Sequence, residues 1–117
     1  MHKKRVLIVE KNKIQVKLYK QILEAEGFEV EAVRDGVEGL EKVKQDRYEV
    51  IISNMQMPQM NGEQFHLEVK KLDQALASKI IFVTGVITDF IKSTGNRYIQ
   101  KPASPEQLIE EVRKLIP

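Results

Sequence analysis

The sequence predicts an α/β fold built on a doubly wound, five-stranded parallel sheet. Three observations carry this expectation. Short apolar runs, Val6-Leu7-Ile8-Val9, Val50-Ile51-Ile52 and Ile80-Ile81-Phe82-Val83, are unalternating and rich in β-branched residues, as strands buried on both faces are. Helical patterns with readable ends lie between these runs. Strand and helix alternate about five times, the pattern of a parallel sheet covered by helices on both faces.

Taken in order, the first strand is Val6 to Val9. Asn12 with Gln15 opens the first helix, whose expected apolar stripe is Ile14, Leu18, Ile22 and Ala25, and Gly27 is placed to close it as a left-handed residue. Phe28 to Val33 alternates apolar residues with Glu and reads as a second strand near an edge. Asp35 with Glu38 opens a helix carrying Val37, Leu40 and Val43, and the third strand follows at Val50. Asn61 with Gln64 opens a helix carrying Phe65, Val69 and Leu72. The fourth strand is Ile80 to Val83, and a weaker fifth runs from Tyr98 to Gln100. Ser104-Pro105-Glu106-Gln107 opens the last helix, with Ser at the N-cap, Pro at N1 and Gln at N3. Its stripe is Leu108, Val112, Leu115 and Ile116.

Composition narrows the function. A chain of 117 residues, 42% apolar, suits one domain spanning 1–117. Charged residues, 31% of the total, are mixed along the chain and sum to only +2, so direct nucleic-acid binding is not expected. The local run Lys3-Lys4-Arg5 reads as a solvated flank of the first strand. With no cysteine, disulfides and thiolate chemistry are excluded. The apolar runs fall far short of the ~20 residues of a membrane span. His2-Lys3-Lys4-Arg5 imitates the start of a signal peptide, but the apolar stretch after it is too short for one. A cytoplasmic protein is the simplest expectation.

Ligands of such sheets bind beyond the carboxyl ends of the strands, where the strand order reverses. Glu10 and Lys11 follow the first strand, and Asn54 with Met55-Gln56-Met57-Pro58 follows the third. Thr84-Gly85 follows the fourth and Lys101-Pro102 the fifth. One shared pocket holding Glu10, Lys11, Asn54, Thr84 and Lys101 is therefore expected.

These pieces, in this order and spacing, resemble the receiver domains of two-component response regulators over nearly the whole chain. The resemblance rests on Val6-Leu7-Ile8-Val9-Glu10, Asn54 four places before Pro58, Asn61-Gly62, Val83-Thr84-Gly85 and Tyr98-Ile99-Gln100-Lys101-Pro102. It implies a flavodoxin-like sheet with strand order 2-1-3-4-5, and a domain that accepts a phosphoryl group on an aspartate from a histidine kinase with the help of Mg²⁺. Thr84, Tyr98 and Lys101 match the family's switch and phosphate-contact positions.

Two departures bear on that chemistry. Asn54 stands where the family places its phosphoacceptor aspartate, and an amide oxygen is a poor nucleophile beside a carboxylate. Lys11 stands where a second metal-binding acid is usual, which leaves Glu10 alone. The pocket charge moves from about −2 to about +1, and each unit at ~4 Å is worth on the order of 4 kcal/mol at an effective dielectric of about 20. Mg²⁺ depends on oxygen ligands, so its binding is expected to be lost or very weak, and no other cofactor is expected. The loss of two groups fits natural degeneration better than one engineered Asp→Asn change.

The expected function is a pseudo-receiver: not an enzyme, but an interaction module for a protein partner such as a histidine kinase or another signalling protein. The alternatives are phosphoryl acceptance on another residue, Ser53 or Glu10, or an active receiver inactivated by substitution. Lys101 is expected to pair with Glu10 and close the pocket, with the Lys11 ammonium as an internal substitute for the metal. The two lysines and Thr84 also allow a small anion. Tyr98 is expected to be a half-buried aromatic, and His66 a surface or rim residue. Thr84 to Lys101 is about five residues shorter than usual in the family, more than one helical turn, so a shortened fourth helix around Asp89-Phe90-Ile91 is expected. A flavin or nucleotide enzyme on the same architecture lacks its glycine-rich loop after the first strand.

Overall fold

In a strand buried on both sides, alternate side chains enter different cores, and each long apolar run of this chain does so. In the computed structural model, which describes residues 3–116, β1 (Arg5–Val9) sends Val6 and Ile8 into one cluster and Leu7 and Val9 into the other. In β3 (Val50–Ser53), Val50 and Ile52 oppose Ile51 in the same way, and in β4 (Ile80–Thr84) Ile81 and Val83 oppose Ile80 and Phe82. With β2 (Glu29–Val33) and β5 (Tyr98–Gln100) these strands form one parallel sheet in the order β2-β1-β3-β4-β5. The sequence reading anticipated this order and the edge position of β2.

Helices α1 (Lys13–Ala25) and α6 (Pro105–Leu115) cover one face through Tyr19, Leu23, Leu108 and Val112. Helices α2 (Gly36–Gln45), α3 (Gly62–Leu72), the short α4 (Gln74–Ala77) and α5 (Asp89–Thr94) lie toward the other core, which takes Phe65, Val69, Leu76 and Ile91. The caps are built as the sequence indicates. Asn61 and Ser104 form reciprocal capping boxes with Gln64 and Gln107, while Asn12 and Asp35 accept from backbone N–H groups without the return bond. Gly27 follows α1 at φ +92°, a conformation that suits glycine.

The structure corrects three details. The buried residues of α1 are Tyr19 and Leu23, backed by Val16 and Ile22, whereas Ile14 is 78% exposed and Leu18 is exposed too. Helix α1 carries apolar residues on two faces, and the sheet takes the one that bears its only aromatic. His66 is buried, not at the rim, with its ring against Phe82 and Phe90. Helix α4, capped by Asp73, was not anticipated, because four residues are too few to show a period. The run that begins at His2 starts outside the described residues; from Lys3 onward it is described, and Lys3 and Lys4 are exposed.

Candidate functional site

The strand order reverses at β1, so the crevice between the carboxyl ends of β1 and β3 is the natural binding point. Backbone bonds extend the strands into it. Glu10 N donates to Val33 O at 3.0 Å, Asn54 N to Val9 O at 3.0 Å, and Lys101 N to Thr84 O at 2.8 Å. Glu10 and Asn54 thus leave the sheet side by side, and Lys101 is aimed from the far edge by a chain turn containing the cis Lys101–Pro102 bond.

At the centre is Glu10, 3% exposed. Its Oε1 accepts from Lys101 Nζ at 2.8 Å. Its Oε2 accepts from Asn12 N at 2.9 Å and from Asn54 Nδ2 at 3.3 Å. A buried carboxylate is tolerated only with such partners, and here a cation and two N–H donors engage both oxygens. The Asn54 amide is held at its other end, where Oδ1 accepts from Met55 N at 2.7 Å. Gly62 permits this loop to close: a Cβ there would lie 2.6 Å from Asn54 O and 2.8 Å from Met55 Cα. Beneath the pocket, burial first and the Glu10 charge second push the Tyr19 hydroxyl up to about 12.

The six residues singled out from sequence divide into three groups. Glu10, Asn54 and Lys101 are in direct contact. Lys11 and Thr84 line an adjoining rim groove of about 700 Å³ with Met55, Met57, Val86 and Thr88. Thr84 is buried, whereas Lys11 is exposed and makes no ion pair among the described residues. The expectation of a fixed Lys11 ammonium in the pocket is thereby overturned, because Lys101 already occupies the free side of Glu10. Tyr98 lies on the edge strand, half-buried as expected at 43% exposed. Ser53 is fully buried and its hydroxyl donates to Asn54 O at 2.8 Å.

Sequence reading missed Asn12 and Gly62 as parts of the site. Asn12 was visible only as a helix cap, yet its own N–H holds Glu10. Gly62 was visible only as half of an Asn-Gly pair. Among the described residues no three His, Cys, Asp or Glu gather around one point. Each oxygen of the central carboxylate already accepts at least one hydrogen bond from the chain.

This fold and this pocket define a phosphorelay-type signalling module built on a flavodoxin-like sheet. The chain belongs to the response regulator receiver domain family, whose pattern it matches over residues 6–113. It is 30% identical to the polar-differentiation response regulator DivK of Brucella anthropi, with 97% of this chain and 96% of that protein covered. Among solved structures it resembles a CheY-like receiver domain protein of Methanospirillum hungatei at TM-score 0.90 and 33% identity, covering 98% of this chain and 95% of that one. It also resembles the response regulator TrrA of Thermotoga maritima, solved with Mg²⁺ and BeF, at TM-score 0.87 and 29% identity, with 96% and 98% covered.

Proposed function

We propose that this chain is a pseudo-receiver, a two-component signalling module that binds a protein partner without phosphorylation at position 54. The observation that supports this most is the amide of Asn54 set against Glu10, whose two oxygens are already engaged by Lys101, Asn12 and Asn54. An acceptor carboxylate needs a free oxygen for attack and a metal to neutralise the incoming phosphoryl group. Here the neighbouring side chain is an amide, and Glu10, already paired with Lys101, has no second carboxylate in contact with which to hold a metal. The partner is a histidine kinase or another signalling protein. Ile14 and Leu18, both exposed and one helical turn apart on α1 beside Lys13 and Lys17, give it an apolar ridge to cover.

The test is incubation of the protein with acetyl phosphate and Mg²⁺, followed by intact-mass measurement. No adduct is expected, and a stoichiometric phosphate adduct, on Ser53, Glu10 or elsewhere, would overturn the proposal. Part of the same reading is that the rim groove with Lys11 and Thr84 accepts a small anion. Phosphate titration should then move backbone amide signals near Thr84, and their silence would retire that part alone.

A further inference from the structure

In a parallel sheet every strand begins at the same end, so the segments entering the strands form a second surface remote from the first. Five-residue strands rising ~3.3 Å per residue put the two ends about 16 Å apart. At this opposite end lies a groove of about 1020 Å³. We propose that this groove docks an acidic peptide segment of another protein, anchored by one apolar side chain. The proposal goes beyond the pseudo-receiver reading and does not depend on it.

Charge complementarity is the first support. The lining carries six cations, Lys3, Lys4, Arg5, Lys44, Arg47 and Lys79, against four acids, a balance of +2, and the acids are held by Arg5 or by backbone N–H groups. Glu29 and Asp46 lie 3.8 and 3.6 Å from the Arg5 guanidinium, Glu49 accepts from Arg5 N at 2.5 Å, and Asp73 accepts from Leu76 N at 3.0 Å. Most of the lining cations have no such partner. Arg5 and Lys44 have acidic partners, but Lys3, Lys4, Arg47 and Lys79 make no ion pair among the described residues. Four uncommitted cations from three separate segments therefore face one groove. A solvated flank accounts for Lys3 and Lys4 alone; it does not account for Arg47 and Lys79 joining them.

The floor is the second support. Val43, Leu72, Ala75 and Leu76 line it, and Leu72 is 52% exposed. An apolar floor inside a cationic rim fits a side chain such as Leu or Phe flanked by Asp and Glu. It fits nucleic acid poorly, since the one aromatic in the groove, Tyr48, is buried with its hydroxyl donated to Glu31 and the Arg5 guanidinium over its ring. No ring is left on which a base could stack.

The experiment is fluorescence anisotropy of the whole chain with a short labelled Asp/Glu-rich peptide carrying one Leu. Saturable binding is expected, weakened about tenfold or more by Arg47→Glu with Lys79→Glu, about tenfold by Leu72→Ser, and progressively by added salt. Polyglutamate, oligothymidylate and phosphatidylserine vesicles serve as comparison ligands. Absence of saturable binding, indifference to the substitutions, or equal binding of any comparison ligand overturns the proposal. Lys3→Glu with Lys4→Glu, at exposed positions ahead of β1, repeats the charge test should the first pair disturb folding, and circular dichroism decides whether it has.

Discussion

Replacing Asn54 with Asp and Lys11 with Asp together should turn a self-satisfied pocket into one that requires a divalent ion. Asn54 Nδ2 donates to Glu10 Oε2 at 3.3 Å. The substitution exchanges that donor for a second carboxylate, and two like charges at ~4 Å repel by on the order of 4 kcal/mol at an effective dielectric of about 20. Lys101, 2.8 Å from the other Glu10 oxygen, offsets part of this. The exposed Lys11 position contributes only tenths of a kcal/mol, about the worth of a surface charge. A net loss of about 2 kcal/mol without metal is expected, which at a urea slope of about 1–3 kcal/mol/M lowers the unfolding midpoint by about 1 M. Mg²⁺ at about 100 times its dissociation constant then returns about 2.7 kcal/mol. The assay is urea unfolding of both proteins in MgCl₂ and in EDTA. Should the unaltered protein gain as much from Mg²⁺ as the double variant, or the double variant gain nothing, the electrostatic reasoning about this pocket fails.

Two further outcomes follow from the packing. Burial between Phe82 and Phe90 holds the His66 imidazole below its ordinary value of 6.5, outweighing a smaller upward push from Asn96. The unfolded chain therefore takes up the proton first, so His66 costs no stability above about pH 6.5, and stability falls as the pH drops from there toward the lowered value. Urea midpoints at about pH 7.5 and 5.5 should differ, and His66→Leu should remove most of the difference; an unchanged slope in that variant refutes the assignment. Gly62→Ala places a Cβ 2.6 Å from Asn54 O, overpacking worth about 1–3 kcal/mol, and thermal unfolding should fall accordingly. A neutral result would mean that this loop is free to move away from Asn54.

Much of the fold was legible in the chain because its signals are local. Unbroken runs such as Val6 to Val9 announce strands buried on both faces, and Ser104-Pro105-Glu106-Gln107 announces a helix start, whatever lies elsewhere. Residues emerging from strand ends could be collected into one site because parallel strands all deliver their carboxyl ends to the same edge. That is how Glu10, Asn54 and Lys101 were found from positions far apart in sequence; that an aspartate is expected at position 54 came from the family resemblance alone.

What needed the third dimension was every choice between equivalent neighbours. Helix α1 offers two apolar faces, and only packing on the sheet selects Tyr19 and Leu23 over Ile14 and Leu18. His66 looks like any polar residue on a helix until Phe82 and Phe90 close over it. The Lys101–Glu10 pair was expected from the sequence and is formed, but only the tertiary structure shows that Lys11 stays in solvent instead of joining it. The amino-acid order alone determined which chemical groups meet at this edge of the sheet, since strand ends and caps are written locally. The tertiary structure decided which of them touch, because a buried carboxylate accepts whichever donors geometry brings within about 3 Å and leaves the rest to water.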